Sequence, residues 1–257
     1  MTSTTGRKHL LKPWAAAVWL LLWQGASMAL AAAYPHGALL LASPVSAAAR
    51  LLELLPSAAF WRTVLFSSAR ILGGFFLGCT LAVPLAAAGA AWPAAADLLA
   101  PAVAAVKAVP VASFVILALV WLDGRSLALF ISALMVFPPV YLNVLAGLRA
   151  ADRKLAEMAA VFHVPLGRRI WGLYLPQVLP YFRSAAALGA GLCWKAGAAA
   201  EVIGIPAGSI GERLYTAKIY LQTPDLFAWT AVIAGLSVLF ERVLLLAVDR
   251  LAERAGR

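Results

Sequence analysis

Long stretches without charged residues are the dominant pattern along this chain. No Lys, Arg, Asp or Glu occurs in residues 13–49, 71–96 or 126–148. Each stretch exceeds the roughly 20 apolar residues that cross a bilayer core about 30 Å thick, and each has little of the polar face that a soluble helix needs. We therefore predict six transmembrane helices, over residues 13–33, 64–90, 100–122, 126–147, 182–203 and 226–248.

The first predicted span also has features of a signal peptide. Arg7, Lys8 and Lys12 precede it, and residues 31–33 are alanines that could form a cleavage site. However, its apolar run is longer than the usual signal core, and further spans follow it. We therefore favour an uncleaved transmembrane helix.

The connections between the spans carry further predictions. Only residues 123–125 join the third and fourth spans, so these two should form a tight helical hairpin. Residues 48–55 predict a short helix on the outer membrane interface. Residues 201–226 contain several glycines and predict a loop with a short helix.

Composition agrees with a protein of several membrane spans. Of 257 residues, 63% are apolar and 12% are charged, about half the charged share of an average globular domain. This excludes a disordered chain, a secreted disulfide scaffold and a water-soluble enzyme. The net charge of +10 would suggest nucleic acid for a soluble protein, but the basic residues cluster between apolar stretches, so no nucleic-acid partner is expected.

The basic residues also predict which side of the membrane each loop occupies. With six spans, both termini and the loops after the second and fourth spans share one side. That side carries Arg7, Lys8, Lys12, Arg149, Arg153, Lys154, Arg168, Arg169, Arg250, Arg254 and Arg257. The other side carries Arg50, Arg62, Arg125, Arg213 and Lys218. Because cytoplasmic loops are enriched in Lys and Arg, we predict that both termini are cytoplasmic.

The most polar part of the chain is residues 148–181, which we call the motif segment. Asp152 is a predicted N-cap of a short helix. Four apolar residues of that helix recur at i, i+3, i+4 and i+7, which places them on one face: Leu155, Met158, Ala159 and Phe162. Pro165 should end the helix, and a second short helix is predicted from Leu166 to near Pro176. Such an amphipathic helix lies on lipid headgroups or docks into a groove of a partner.

The motif segment resembles the EAA loop of bacterial ABC importer permeases. Glu157-Met158-Ala159, His163 and Leu173-Tyr174-Leu175-Pro176 have the spacing of its Glu-Ala-Ala, Gly and Ile-x-Leu-Pro. Two residues depart from that motif, since Met158 replaces an alanine and His163 replaces the glycine. The histidine removes the freedom that glycine gives to a bend, so we expect Pro165 to supply the break.

Shorter matches after the first span resemble the nitrate/sulfonate/taurine type of these permeases. They are Ser43-Pro44, Ser68-Ala69-Arg70-Ile71-Leu72-Gly73, Val109-Pro110, Trp121-Leu122-Asp123-Gly124 and Ala200-Glu201. The resemblance implies one all-α permease domain over residues 1–257, with its core at about 60–250, in a bacterial cytoplasmic (inner) membrane. It also implies import of a small anionic solute such as a sulfonate, taurine, nitrate or bicarbonate. The alternative within the family is a vitamin or pyrimidine precursor related to thiamine or riboflavin.

The resemblance further implies the partners of this chain. The helix around Glu157 would be the coupling helix, seated on a cytoplasmic ABC ATPase dimer. The residues implied for that contact are Leu155, Glu157, Met158, Ala159, Phe162, His163, Leu175 and Pro176. A second permease copy, as a homodimer, and an extracytoplasmic substrate-binding protein would complete the importer in the lipid bilayer. The chain has no G-x-x-x-x-G-K-[ST] phosphate loop, so ATP and Mg are expected in the ATPase, with no cofactor, metal or catalytic residue here.

Four charged residues lie in or beside predicted spans: Arg70, Lys107, Lys195 and Glu201. A charge at the bilayer centre costs about 2.5–3.5 kcal/mol on insertion scales, so such residues face an interior or a pathway. Arg70 and Lys195 lie near span ends, from which they could also snorkel to the interface. Glu201 lies deeper, where a structural hydrogen bond with Arg70 or Lys107 is as good an interpretation as substrate contact. We hypothesise a basic element for an anionic substrate.

Glycine and proline pairs inside the spans predict local packing. Gly74 and Gly78 have the G-x-x-x-G spacing that lets two helices approach closely, and Pro138-Pro139 should kink the fourth span. In residues 201–226, three charged side chains are available for a binding protein: Glu212, Arg213 and Lys218.

Two other classes of function remain as alternatives. An intramembrane enzyme would need a catalytic set within the spans, but the three histidines, His9, His36 and His163, lie outside them. An ion-coupled transporter would need no ATPase and would leave the EAA-type loop without a purpose.

Overall fold

The structure is a computed structural model that describes residues 13–255, all of whose regular elements are helical. Arg7, Lys8, His9, Lys12 and Arg257 lie outside the described residues. The helices are α1 (Pro13–Ala33), α2 (Gly37–Leu40), α3 (Pro44–Leu54), α4 (Ala58–Ala91), α5 (Pro93–Ala108), α6 (Val111–Ala118), α7 (Gly124–Arg149), α8 (Arg153–Val161), α9 (Leu166–Arg169), a π-helical turn (Ile170–Tyr174), α10 (Leu175–Gly204), α11 (Ile210–Ile219) and α12 (Thr223–Ala255). Five helical runs are long and apolar enough to cross a membrane, or six if α5 and α6 count as one bent span. The predicted all-α fold with several membrane spans is confirmed.

The third predicted span is two helices rather than one. α5 and α6 are bent by 104° at a short break. Pro110 has no N–H to donate, and its ring restricts Val109, which is extended with φ −80° and ψ 133°. The prediction of one helix over 100–122 was wrong, because it rested on the high hydropathy of this stretch and took no account of Pro110. Residues 119–123 then lead into α7, not the three-residue link that was predicted.

The fifth predicted span begins far earlier than its hydropathy indicated. From Leu166 to Gly204 the backbone is one helical run of 39 residues. The predicted end of a short helix near Pro176 was wrong, because the N–H of Leu175 donates to the carbonyl of Ile170, five residues back. This π-helical turn places Pro176 in the first turn of α10, where a missing N–H costs little.

The chain forms two compact units, each with its own contacts. One comprises residues 13–60 together with Leu214–Ala231. Here Trp23 donates its indole N–H to the Ala42 carbonyl at 2.9 Å, and Ser27 donates to the Leu41 carbonyl at 2.8 Å. Ser43 caps α3, so the predicted short helix exists and begins before residue 48.

The other unit comprises Trp61–Arg213 and residues 232–255. Its core joins α4, α7 and α10, and its largest fully buried side chains include Ile71, Phe75, Val136, Tyr141, Cys193 and Trp194. A Cβ on Gly78 would lie 2.8 Å from the Ala133 carbonyl oxygen, and Gly74 also contacts α7. The close approach predicted from G-x-x-x-G is thus confirmed, with α7 as the partner helix.

α7 begins at a capped end and contains two adjacent prolines, Pro138 and Pro139. Asp123 caps it by accepting from the Ser126 N–H at 3.0 Å, and hydrogen bonding to Ser126 holds the pKa of Asp123 below its ordinary value. The helix continues unbroken through Pro138 and Pro139. Asn143 donates to the Pro139 carbonyl at 2.8 Å. The predicted kink at these prolines stays a prediction.

Candidate functional site

The first candidate site is α8 with the turns that flank it. Asp152 accepts from the Lys154 N–H at 2.8 Å, which confirms the predicted N-cap. The backbone N–H of Asp152 donates to the side-chain carbonyl of Gln177 at 2.8 Å. Gln177 also donates to the Leu173 carbonyl at 3.0 Å, so the start of α8 is tied to the helical run that becomes α10.

The end of α8 is a left-handed turn at His163. The His163 N–H donates to the Ala160 carbonyl at 3.1 Å, and the Val164 N–H donates to the Ala159 carbonyl at 2.9 Å. These two bonds form a Schellman motif, in which His163 has φ +50°. The prediction that Pro165 ends the helix was wrong, because α8 has already ended at Val161 and His163 adopts the conformation that favours glycine.

Arg169 holds this turn from the other side. Its Nε donates to the Val164 carbonyl at 2.8 Å and its Nη2 donates to the Ala159 carbonyl at 3.0 Å. A guanidinium at the C-terminal end of a helix also complements the helix dipole. From the sequence, Arg169 was predicted only as one of the basic loop residues. Its hydrogen bond to Ala159, ten residues earlier, could not be predicted from that spacing without knowledge of the turn between them.

The apolar face of α8 is largely uncovered. Of its four predicted members only Ala159 is buried, at 8% exposure, while Met158 is 52% and Phe162 is 73% exposed. Leu155 is exposed as well. Several exposed apolar side chains on one short helix are typical of a surface that binds a partner.

The remaining residues implied for this contact are placed around that face. Glu157 and His163 are exposed. Leu175 and Pro176 are half-buried and lie in the first turn of α10, so they belong to the support of the motif segment and not to α8 itself.

Glu201 is fully buried in a small hydrogen-bond network. Its Oε2 accepts from the Ser67 hydroxyl at 2.7 Å and from the Gly211 N–H at 3.2 Å. The Ser67 hydroxyl oxygen accepts from the Ile210 N–H at 2.9 Å. The network joins α4, α10 and the start of α11, and Ser67 is a residue that sequence analysis missed.

The proposed pairing of Glu201 with a basic residue was wrong. Among the described residues, neither Arg70 nor Lys107 forms an ion pair with it. Arg70 instead donates to the Arg125 carbonyl at 2.8 Å and to the Phe66 carbonyl at 3.1 Å. Its guanidinium also lies 3.4 Å from the centre of the Phe66 ring. Backbone carbonyls thus satisfy Arg70 within α4, which no sequence pattern indicated.

The two lysines differ in their surroundings. Lys107 is exposed in the last turn of α5 and lines two adjoining cavities, of about 420 Å³ and 350 Å³. Leu142 of α7 also lines both cavities. Lys195 is exposed on α10 and lines neither of them.

The start of α11 is capped with the help of Glu212, a charged residue in its first turn. The carboxylate of Glu212 accepts from the Gly208 N–H at 2.6 Å, and the Glu212 N–H donates to the Ser209 hydroxyl at 2.9 Å. This reciprocal arrangement resembles a capping box and fixes the start of α11. Arg213 and Lys218 are exposed, so they remain available for a partner, whereas Glu212 is already engaged.

Comparison with known proteins agrees with this architecture. The family described as "Binding-protein-dependent transport system inner membrane component" matches residues 74–257. A protein of Brucella melitensis, named a probable ABC transporter permease, is 28% identical over 218 residues, or 84% of this chain and 88% of the relative. The taurine transport system permease TauC of Escherichia coli is 26% identical over 185 residues, or 72% and 67%. The riboflavin transport system permease RibX of Chloroflexus aurantiacus is 28% identical over 216 residues, or 84% and 79%.

The family match covers most of the chain and includes the whole motif segment and both candidate cavities. The resemblance drawn from the EAA-type spacing is therefore confirmed. Members of this family are transport components, not enzymes. This multi-span membrane chain belongs to the binding-protein-dependent family of ABC transporter permeases.

Proposed function

We propose that this chain is the membrane subunit of an ATP-driven importer in a bacterial cytoplasmic membrane, where two copies form the pathway. A cytoplasmic ATPase dimer would bind ATP and Mg, and an extracytoplasmic binding protein would deliver the solute. The observation that carries the proposal is the uncovered apolar face of α8. Helices with exposed apolar anchors dock into grooves of partner proteins.

The bonds around α8 give this proposal a mechanical basis. Asp152 is bonded to Gln177, and Arg169 is bonded to the last turn of α8. Both Arg169 and Gln177 belong to the helical run from Leu166 to Gly204. A displacement of α8 by closing ATPase subunits would therefore move that run, and alternating access would follow from its motion.

For the substrate, we propose a small organic anion of the sulfonate class. The relative named as a taurine permease supports this choice, since taurine carries a sulfonate group. Lys107, exposed beside two cavities, supplies a matching positive charge. The second candidate is a flavin-like vitamin precursor, favoured by the relative named as a riboflavin permease.

Co-purification tests the docking role of α8. The chain is expressed with the ATPase encoded beside it and isolated by a tag on the permease alone. We expect the ATPase to co-purify with the native chain and to be lost with Met158→Asp. The matched control is Leu251→Asp, which places the same charge at an exposed leucine near the end of α12. The proposal is overturned if no ATPase ever co-purifies, or if both variants lose it equally.

A further inference from the structure

We infer that the groove between α5 and α7 binds the anionic head and the apolar body of the transported solute, with Lys107 as the charge that holds the head. The inference rests on the proposed function only in taking the ligand to be the transported solute. It adds the place of binding and the residue that holds the anionic head, and it narrows the proposed class to an organic monoanion with a hydrocarbon part.

The groove follows α7 for a large part of its length. The two adjoining cavities are lined by α7 residues from Met135 to Arg149. That interval corresponds to about 21 Å along a helix axis. Lys107 and Leu142 line both cavities and so lie at their junction.

The first cavity is apolar except for two side chains. Its walls include Val106, Val111, Met135, Pro138, Leu188 and Leu192. Asn143 also lines it, but its amide nitrogen already donates to the Pro139 carbonyl. Lys107 is therefore the one cationic side chain that lines this cavity. Nitrate or bicarbonate would leave the apolar walls unused, whereas an alkanesulfonate would use the walls and the charge together.

The second cavity extends the positive character of the groove. Arg149 lines it at one end, and Asp97 is the one carboxylate that lines it. Lys107 and Arg149 outnumber this single acid, so the formal charges of the side chains that line the groove sum to +1. Asp97 and Lys107 lie ten residues apart on α5, or about 15 Å along the axis, so the acid does not neutralise the lysine at the junction.

Tyr141 gives an independent indication that this cavity takes a polar ligand. The residue lines the second cavity, is 2% exposed, and its buried hydroxyl has no hydrogen-bond partner among the described residues. Buried hydroxyls in proteins are nearly always hydrogen-bonded. A sulfonate oxygen that moves along the groove would provide the missing partner.

The other basic residues of the predicted spans do not compete for this role. Arg70 already donates to the carbonyls of Arg125 and Phe66. Lys195 lines neither cavity. Among the described residues, no side chain forms an ion pair with Lys107, and of the three basic residues singled out in the sequence it alone lines a cavity without a bonded partner.

Charge-selective labelling in the groove tests the inference without an ATPase. Leu142→Cys places a thiol at the junction of the full-length chain, whose native Cys79 and Cys193 are buried. The thiol is treated with the anionic 2-sulfonatoethyl methanethiosulfonate and, separately, with the cationic trimethylammonium analogue. The measured quantity is the ratio of the two labelling rates, which cancels differences in thiol reactivity.

We expect Lys107→Met to lower the anion-to-cation ratio about tenfold, as loss of one nearby unit charge would. Lys107→Arg should keep the ratio, and so should Arg242→Met, which removes an exposed basic residue on α12. Butane-1-sulfonate should slow labelling only while Lys107 or its arginine variant is present, and butan-1-ol should not.

Three results would overturn the inference: a thiol at position 142 that water-soluble reagents never reach, a ratio that Lys107→Met leaves unchanged, or no protection by butane-1-sulfonate. Retained thermal stability of each variant shows that the chain is folded. None of these results depends on ATPase binding, so a failed co-purification would count against the proposed function alone.

Discussion

At the scale of single residues, His163 shows how a motif position keeps its conformation when its residue type changes. The EAA-type motif has glycine there, and His163 adopts a left-handed φ of +50° within a complete Schellman motif. Non-glycine residues lose about 1–2 kcal/mol in this conformation. The bonds to Ala159 and Ala160, together with the Arg169 guanidinium, therefore hold the turn against an unfavourable backbone.

His163→Gly should relieve that strain and stabilise the turn by about 1 kcal/mol. His163→Val should weaken it, because a β-branched side chain tolerates positive φ poorly. Hydrogen exchange of the Val164 amide measures the stability of the turn directly. Slower exchange is expected in the glycine variant and faster exchange in the valine variant; the same rate in both would contradict the account.

Arg169 offers a second test at the residue scale. Arg169→Leu removes two charge-assisted hydrogen bonds, each of which contributes about 1.5–3 kcal/mol when made to a charged group. We expect the variant to hydrolyse ATP in the assembled importer while uptake per ATP falls several-fold. Arg168→Leu is the matched control, since Arg168 is exposed and makes no hydrogen bond among the described residues. Equal loss in both variants would rule out a specific positioning role for Arg169.

At the scale of helices, the sequence predicted most membrane-crossing elements and missed two details set by proline. Hydropathy located both ends of α1 and α7 within two residues, but it missed the first six residues of α4 and the last seven of α12. It could not show that the helix breaks at Pro110 but stays unbroken through Pro176. Proline has no N–H to donate, so its effect depends on whether a helical carbonyl is left without a donor. Before Pro176 a π-helical turn shifts the backbone bonding, and the proline falls in the first turn of α10.

The Glu201 network was beyond sequence reasoning for another reason. Ser67 and Glu201 are 134 residues apart along the chain, and the third partner is a backbone N–H. A lone serine in an apolar span has no pattern that distinguishes it from its neighbours. The depth of Glu201 in its span indicated either a structural hydrogen bond or substrate contact, whereas its actual partners depend on the packing of α4 against α10.

Ser67→Ala tests how far this network supports the packing of helices. The change removes the hydroxyl donor to Glu201 and the acceptor of the Ile210 N–H. We expect a loss of about 1–3 kcal/mol, because buried polar groups are left unsatisfied. Ser68→Ala is the control, since Ser68 is only half-buried and forms no hydrogen bond among the described residues. Thermal unfolding of both variants should separate them, and equal midpoints would contradict the prediction.

At the scale of the whole molecule, the few charges of the chain divide into separate uses. Arg50 is bonded to Asp225 and Glu53 in one unit, and Arg183 is bonded to Asp249 in the other. Arg169 bonds to the motif segment, and Lys107, which has no ion-pair partner in the described part of the chain, lines the cavities. The pairs Arg50–Asp225 and Arg183–Asp249 could not be predicted from the sequence, because their partners lie 175 and 66 residues apart and the pattern of loops alone does not bring them together.

We propose that ATP hydrolysis by a partner moves this permease through α8. This coupling is tested most directly by uptake of radiolabelled butane-1-sulfonate into proteoliposomes that contain the permease, its ATPase and its binding protein. We predict uptake that requires ATP inside the vesicles, stops with Met158→Asp and persists with Leu251→Asp. Uptake driven by an ion gradient without the ATPase would contradict the account and would make this chain an ion-coupled transporter.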